Sequence, residues 1–118
     1  MGQRSSEVAF YPGEWEFVPG GSVDAGRTLS DSILGELSEE SGWVAVGSPR
    51  AVAVLYDPSA LSWEVVYLMD VQPGTVPPSE GWEYARIESI RAGDEPRPLA
   101  SVARQMMRIR DGVTNERA

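Results

Sequence analysis

One stretch of this chain changes periodicity, and that change limits the folds open to it. Between runs with the two-residue alternation of strands, Leu29, Ile33 and Leu37 recur every four residues, the spacing of one helical face. Thr28 followed by Asp31 has the pattern of an N-cap, and Gly42 suits the left-handed residue that ends a helix. A helix is therefore predicted from Thr28 to Gly42. Leu99, Val102, Met106 and Ile109 predict a second one near the end of the chain.

The remaining segments read as strands and turns. Glu7–Tyr11 is predicted as a short strand closed by Pro12-Gly13, and Glu14–Val18 as a second strand ended by Pro19-Gly20-Gly21. Trp43–Val46 and Ala51–Tyr56 precede a turn at Asp57-Pro58-Ser59, and Trp63–Met69 returns as their hairpin partner. Gln72–Gly81, rich in Pro and Gly, is expected to be a loop, and Trp82–Ile87 another strand. Strands, helix, strands, helix is the order of an α/β (α+β) mixed-sheet sandwich flanked by helices. At 118 residues the chain is expected to form one domain, with 1–6 and 111–118 as mobile ends.

Composition removes several kinds of chemistry. There is no cysteine and no histidine, so disulfides, thiolate sites and imidazole catalysis are excluded. All ten basic residues are arginine, so a P-loop lysine is excluded as well. The net charge of −8 repels polyanions, so no nucleic-acid polymer is expected as partner. No apolar run approaches the roughly 20 residues that span a bilayer, and the first residues show no apolar signal segment. No membrane association is expected, and a cytoplasmic location is.

The first predicted helix carries the residues of most chemical interest. Glu36, Glu39 and Glu40, at i, i+3 and i+4, fall on one side of the helix. Glu36 and Glu40 lie within about 20° of Leu29 on the helical wheel, beside the apolar stripe rather than opposite it. Carboxylates are also disfavoured in the last turn of a helix, where the dipole attracts cations. A hard divalent cation with oxygen ligands would relieve both problems. An acidic, solvated helix surface is an equally simple account of the spacing alone.

The surrounding residues resemble the Nudix box, which reads Gly, five residues, Glu, seven residues, Arg-Glu-U-x-Glu-Glu-x-Gly-U, with U bulky and apolar. Gly21, Glu36, Leu37, Glu39, Glu40, Gly42 and Trp43 match it at the correct spacing, and Trp15 to Gly21 resembles the approach segment. Arg27 stands where the family has Glu, and Gly35 where it has the arginine that orients the glutamates. Only 18 residues precede Pro19, fewer than family members usually have.

The resemblance implies a Nudix-like fold and metal-dependent hydrolysis of a diphosphate linkage in a small phosphorylated substrate of the nucleoside-diphosphate type. Glu36, Glu39 and Glu40 would bind Mg2+ or Mn2+, and Glu36 or Glu80 would accept the proton from water, with Glu83 a weaker candidate for an acidic ligand. Gly20 and Gly21 would shape the turn before the helix. Arg27 would contact a substrate phosphate, although a surface arginine is the simpler reading. Trp15, Trp63 and Trp82 could stack on a base, against the competing reading of core packing. A binding or regulatory module without turnover, and a fold recruited to other biosynthetic chemistry, are the alternatives. An unpaired sheet edge left by the short N-terminus suggests a homodimer through Glu7–Tyr11.

Overall fold

The computed structural model describes residues 1–20, 25–75 and 83–117, the last four of these by backbone alone. It is an α+β structure of two antiparallel sheets and two helices. Strands β1 (Gly2–Arg4), β2 (Trp15–Glu16) and β5 (Tyr84–Ile87) form one sheet in the order β2-β1-β5. Strands β3 (Trp43–Asp57) and β4 (Ser62–Pro73) form a long two-stranded ribbon, the expected hairpin with both arms extended. Helix α1 (Leu29–Ser41) precedes the ribbon, and α2 (Ser101–Arg117) closes the chain.

The core forms where the three-stranded sheet meets α2. Trp15 is 2% exposed, and its backbone joins the segment before α2 on both sides. Its N–H donates to the Pro98 carbonyl at 2.8 Å, and its carbonyl accepts from the Ala100 N–H at 2.9 Å. Around that seam Leu99, Ala100, Val102 and Ala103 are buried, with Met1, Phe17, Leu55 and Met106 packed against the cluster. Asp57, also buried, ties the ribbon to this core. It accepts from the Tyr11 hydroxyl at 2.6 Å and 2.8 Å and from the Ser59 N–H at 3.0 Å, so its charge is not left unsolvated.

Three expectations at the ends of the chain are corrected. Residues 1–6 are not a mobile arm, because Gly2–Arg4 is the central strand of the sheet, with Gly2 opposite both Glu16 and Ile87. Glu7–Tyr11 is not a strand. There the chain turns back, with Tyr11 at φ 54° and the Phe10 carbonyl held by Arg4 Nε at 2.7 Å. The strand edge that suggested a dimer through Glu7–Tyr11 is therefore absent. At the other end α2 extends to Arg117, past the expected boundary at Asp111, and Arg110 Nη2 lies 2.9 Å from Glu95 Oε1. The expected strand start at Trp82 lies outside the described residues.

Gly2 occupies its place because nothing larger fits. A Cβ built there would lie 2.7 Å from Tyr84 Cδ1 and 3.1 Å from Val18 Cγ1. The Tyr84 ring cannot easily withdraw, since its hydroxyl donates to Glu16 Oε1 at 2.7 Å. Gly2→Ala is expected to destabilise the fold by about 1–3 kcal/mol, the usual cost of overpacking. Urea denaturation measures this, and an unchanged midpoint would show that the ring moves aside freely.

Candidate functional site

Helix α1 begins and ends as its sequence predicts. The Thr28 hydroxyl accepts from the Asp31 N–H at 3.0 Å. Gly42, at φ 73°, closes the last turn by donating its N–H to the Ser38 carbonyl at 3.0 Å. The buried side is rotated from the expected stripe. Leu29 is 45% exposed, whereas Leu37 and Ser32 are buried and Ile33, Glu36 and Glu40 are half-buried. Ser32, Glu36 and Glu40 form one row at i, i+4 and i+8, so the helix turns a row containing two carboxylates toward the protein. Glu39 is exposed and does not join them.

Glu40 is the centre of this arrangement. Its Oε2 accepts from the Gly20 N–H at 3.1 Å, which ties the end of α1 to the turn after β2. Its Oε1 is buried with no hydrogen-bond partner among the described residues. Burial pushes the Glu40 carboxyl up to about 8, partly offset by the Gly20 bond, and the nearby charges of Glu36 and Glu83 push the same way. An isolated carboxylate would not remain ionised in such a place at neutral pH.

The sheet supplies the other wall. Tyr84 donates to Glu16, and Arg4 Nη1 pairs with the same Glu16 Oε1 at 2.7 Å. Burial and the carboxylates of Glu16 and Glu40 keep the Tyr84 hydroxyl protonated. Glu83 adjoins this group on a backbone anchored by the Ser5 N–H, 2.8 Å from its carbonyl. Among the described residues, Glu83 is the acidic residue before β5 whose charge is felt at Glu40. Glu80 and Gly21 lie outside the described residues. Among the described residues no three acidic side chains are drawn tightly enough together to hold a metal ion by themselves.

Arg27 and Gly35 depart from the motif together, and the structure places them in contact. The Arg27 guanidinium lies across the helix surface at Gly35, with Nη2 donating to the Asp31 carbonyl at 2.8 Å. A Cβ on Gly35 would lie 2.6 Å from that Nη2, so the missing side chain makes the space that the guanidinium fills. Trp15, a candidate for stacking on substrate, lies in the core, and its ring is covered by the Arg86 guanidinium 4.9 Å from the centroid. Trp63 is 73% exposed at the far end of the ribbon, on β4.

No family model matches the chain, and no solved structure matches it. Among curated proteins it is similar to an uncharacterized Nudix hydrolase of Pseudomonas aeruginosa, 45% identical over 40 residues. That stretch is 34% of this chain and 24% of the relative, so the match spans about a quarter of the other protein's length. Among the described residues no helix is long and apolar enough to cross a membrane.

Two measurements follow from this geometry. The folded state holds the Glu40 proton up to about pH 8, whereas the unfolded chain releases it near the ordinary carboxyl value of 4.5. This contribution to metal-free stability is therefore full below 4.5, declines as pH rises, and is lost by about pH 8. The melting temperature of Glu40→Gln, measured without metal, should lack that decline, and parallel wild-type and mutant profiles would contradict the assignment. For Gly35→Ala, helix propensity adds about 1 kcal/mol, but the methyl group displaces Arg27 from the Asp31 carbonyl. We expect a net change within about 0.5 kcal/mol. In an Arg27→Ala background the same substitution should stabilise by roughly 1 kcal/mol, and equal effects in the two backgrounds would show that the residues are uncoupled.

Proposed function

We propose that the chain hydrolyses a diphosphate linkage in a small phosphorylated substrate, with a divalent cation, Mg2+ or Mn2+, as cofactor. The observation that carries this reading is the Glu40 carboxylate, half-buried beside Glu36 with an unpartnered oxygen, within the Nudix-like run Glu36 to Gly42. Magnesium is commonly held by one or two carboxylates together with substrate phosphates and waters, rather than by a protein cage. Glu36 and Glu40 fit that pattern as oxygen donors, although the described residues contain no three-carboxylate cage. Glu39 is the third residue of the motif and, from its exposed position, would meet the cation only from the solvent side.

When bound, the cation supplies charge neutralisation of the diphosphate and acidifies a water. The chain's own groups do the rest. The Gly20 N–H fixes one oxygen of Glu40, and the other, without a hydrogen-bond partner among the described residues, would be the donor to the cation. Glu36, half-buried beside Glu40, is the proton acceptor for the attacking water, with Glu80 the alternative. Glu83 adds negative charge from the sheet side, which favours retention of a cation over an empty site. Arg27, resting on the backbone at Gly35, presents its positive charge at the helix surface, where a substrate phosphate would meet it.

The tie between Arg27 and the Asp31 carbonyl also favours a second reading, a binding module without turnover. A guanidinium engaged by backbone is less available to a transferring phosphate. Incubation with a panel of nucleoside-diphosphate compounds in Mg2+ or Mn2+, with products resolved by mass spectrometry, separates the two. Hydrolysis is expected, with a loss of about 10²-fold or more in Glu36→Gln and Glu40→Gln. Thermal stabilisation by metal should vanish in Glu40→Gln. Metal and ligand stabilisation without products would identify the binding module, and the absence of both would end the diphosphate reading.

A further inference from the structure

We propose that the outer face of the β3–β4 ribbon is the interface of a homodimer. The inner face is covered where it meets the core: Val66 is buried, and Leu55 packs against Ala100, Val102 and Ala103, while Val44 and Val46 farther along the ribbon stay exposed. Side chains alternate along a strand, so the opposite face of β4 carries Trp63, Val65, Tyr67, Met69 and Val71. Across the ladder Tyr56 stands opposite Trp63 and Val54 opposite Val65. None of these residues is charged, in a chain where 24% of residues are. A half-covered antiparallel sheet normally turns polar residues outward. This one turns valines and aromatic rings outward.

The exposure is large. Val54 is 61% exposed, Tyr56 42%, Trp63 73% and Val71 40%, and Leu61 in the hairpin turn is 79% exposed. The Tyr56 and Trp63 rings pack on each other at 5.1 Å and form a raised aromatic end to the patch. With the half-buried residues between them, these side chains present roughly 700 Å2, close to the ~800 Å2 that each partner contributes to a standard interface. A two-stranded ribbon is also marginal alone and gains stability from a third layer. Strands that need protection are often guarded by lysine, and this chain has none.

A second copy of the chain is the occupant that the area and apolar character of the face favour, although net charge opposes it. Each copy carries −8, so two copies repel unless they meet through a surface that brings no further carboxylates together. The ribbon face is such a surface. Packed about a two-fold axis, it meets its own image at sheet-on-sheet spacing, with both patches covered at once.

Sedimentation across a concentration series tests this on the whole chain. Wild type should be a dimer that tightens as salt screens the repulsion, and the Val54→Glu/Trp63→Glu double variant should be a monomer. The single variant Trp63→Glu should weaken the dimer ~30-fold or more, and circular dichroism shows whether each variant remains folded. As an independent arm, Val65→Cys introduces the only thiol in the chain, and a fluorophore attached there should self-quench as concentration rises. A wild-type monomer at high micromolar concentration would overturn the proposal and leave a different protein as occupant. A dimer that survives the double variant, or dissociates as salt rises, would place the contact elsewhere and overturn it too.

Discussion

Trp15 is the residue on which the assembly of the two halves depends. Its backbone pairs with the segment before α2 on both sides, through Pro98 and Ala100, while Gln3 of the central strand stands opposite it. Its side chain is the largest fully buried one among the described residues. Removing a ring of that size from water contributes more than the three short strands around it could supply by pairing alone. The position of β2 fixes the turn that follows, and with it the Gly20 N–H that holds Glu40. The core and the candidate site are thus joined by a run of six residues.

Within that frame, the acidic helix is held in a state that favours ligand. Glu40 has one oxygen satisfied by backbone and the other by nothing among the described residues, with Glu36 beside it and Glu83 across from it. Burial and like charge act in the same direction, and a proton relieves both only by removing the negative charge. A cation relieves both while keeping the carboxylate charged. The neighbouring sheet shows the contrast. Glu16 is also half-buried, but Arg4 and Tyr84 both bind its Oε1, so it is satisfied without any ligand.

Much of this was legible in the sequence, and the misses share a physical cause. The helix from Thr28 to Gly42 carries its own boundary signals, a side-chain cap and a left-handed glycine, so local chemistry defines it. The hairpin announces itself by β-branched runs about a turn. By contrast, β1 is the polar triplet Gly2-Gln3-Arg4, and its partners are Trp15, Glu16 and residues 84–87, so no local window contains the reason it is a strand. Leu29 was misplaced because helical spacing locates a face without saying how far along it the packing extends. The helical wheel sets Glu40 beside Leu29 and Ile33, and Glu40 is half-buried although Leu29 itself is exposed, because the wall formed by Glu83 and Tyr84 is non-local. That Arg27 and Gly35 change together is readable from the motif, but their contact across eight residues needs the helix start to fold back over its second turn.

The exposed ribbon and the buried carboxylate are two departures from the same rule, that apolar groups go inside and charges outside. Neither is compensated within the described residues of one chain. An unpartnered oxygen facing two carboxylates would be relieved by a small hard cation, since only a compact charge would fit where side chains already crowd. A broad uncharged face of valines and aromatic rings is relieved by another surface of the same kind, because it offers area and no directional groups. The two demands therefore point to different partners at different places. α1 packs beside β3, so covering the outer face of the ribbon would stiffen the β-layer against which the acidic helix rests. Association at the ribbon would act on the carboxylate cluster through that packing, without contributing a residue to it.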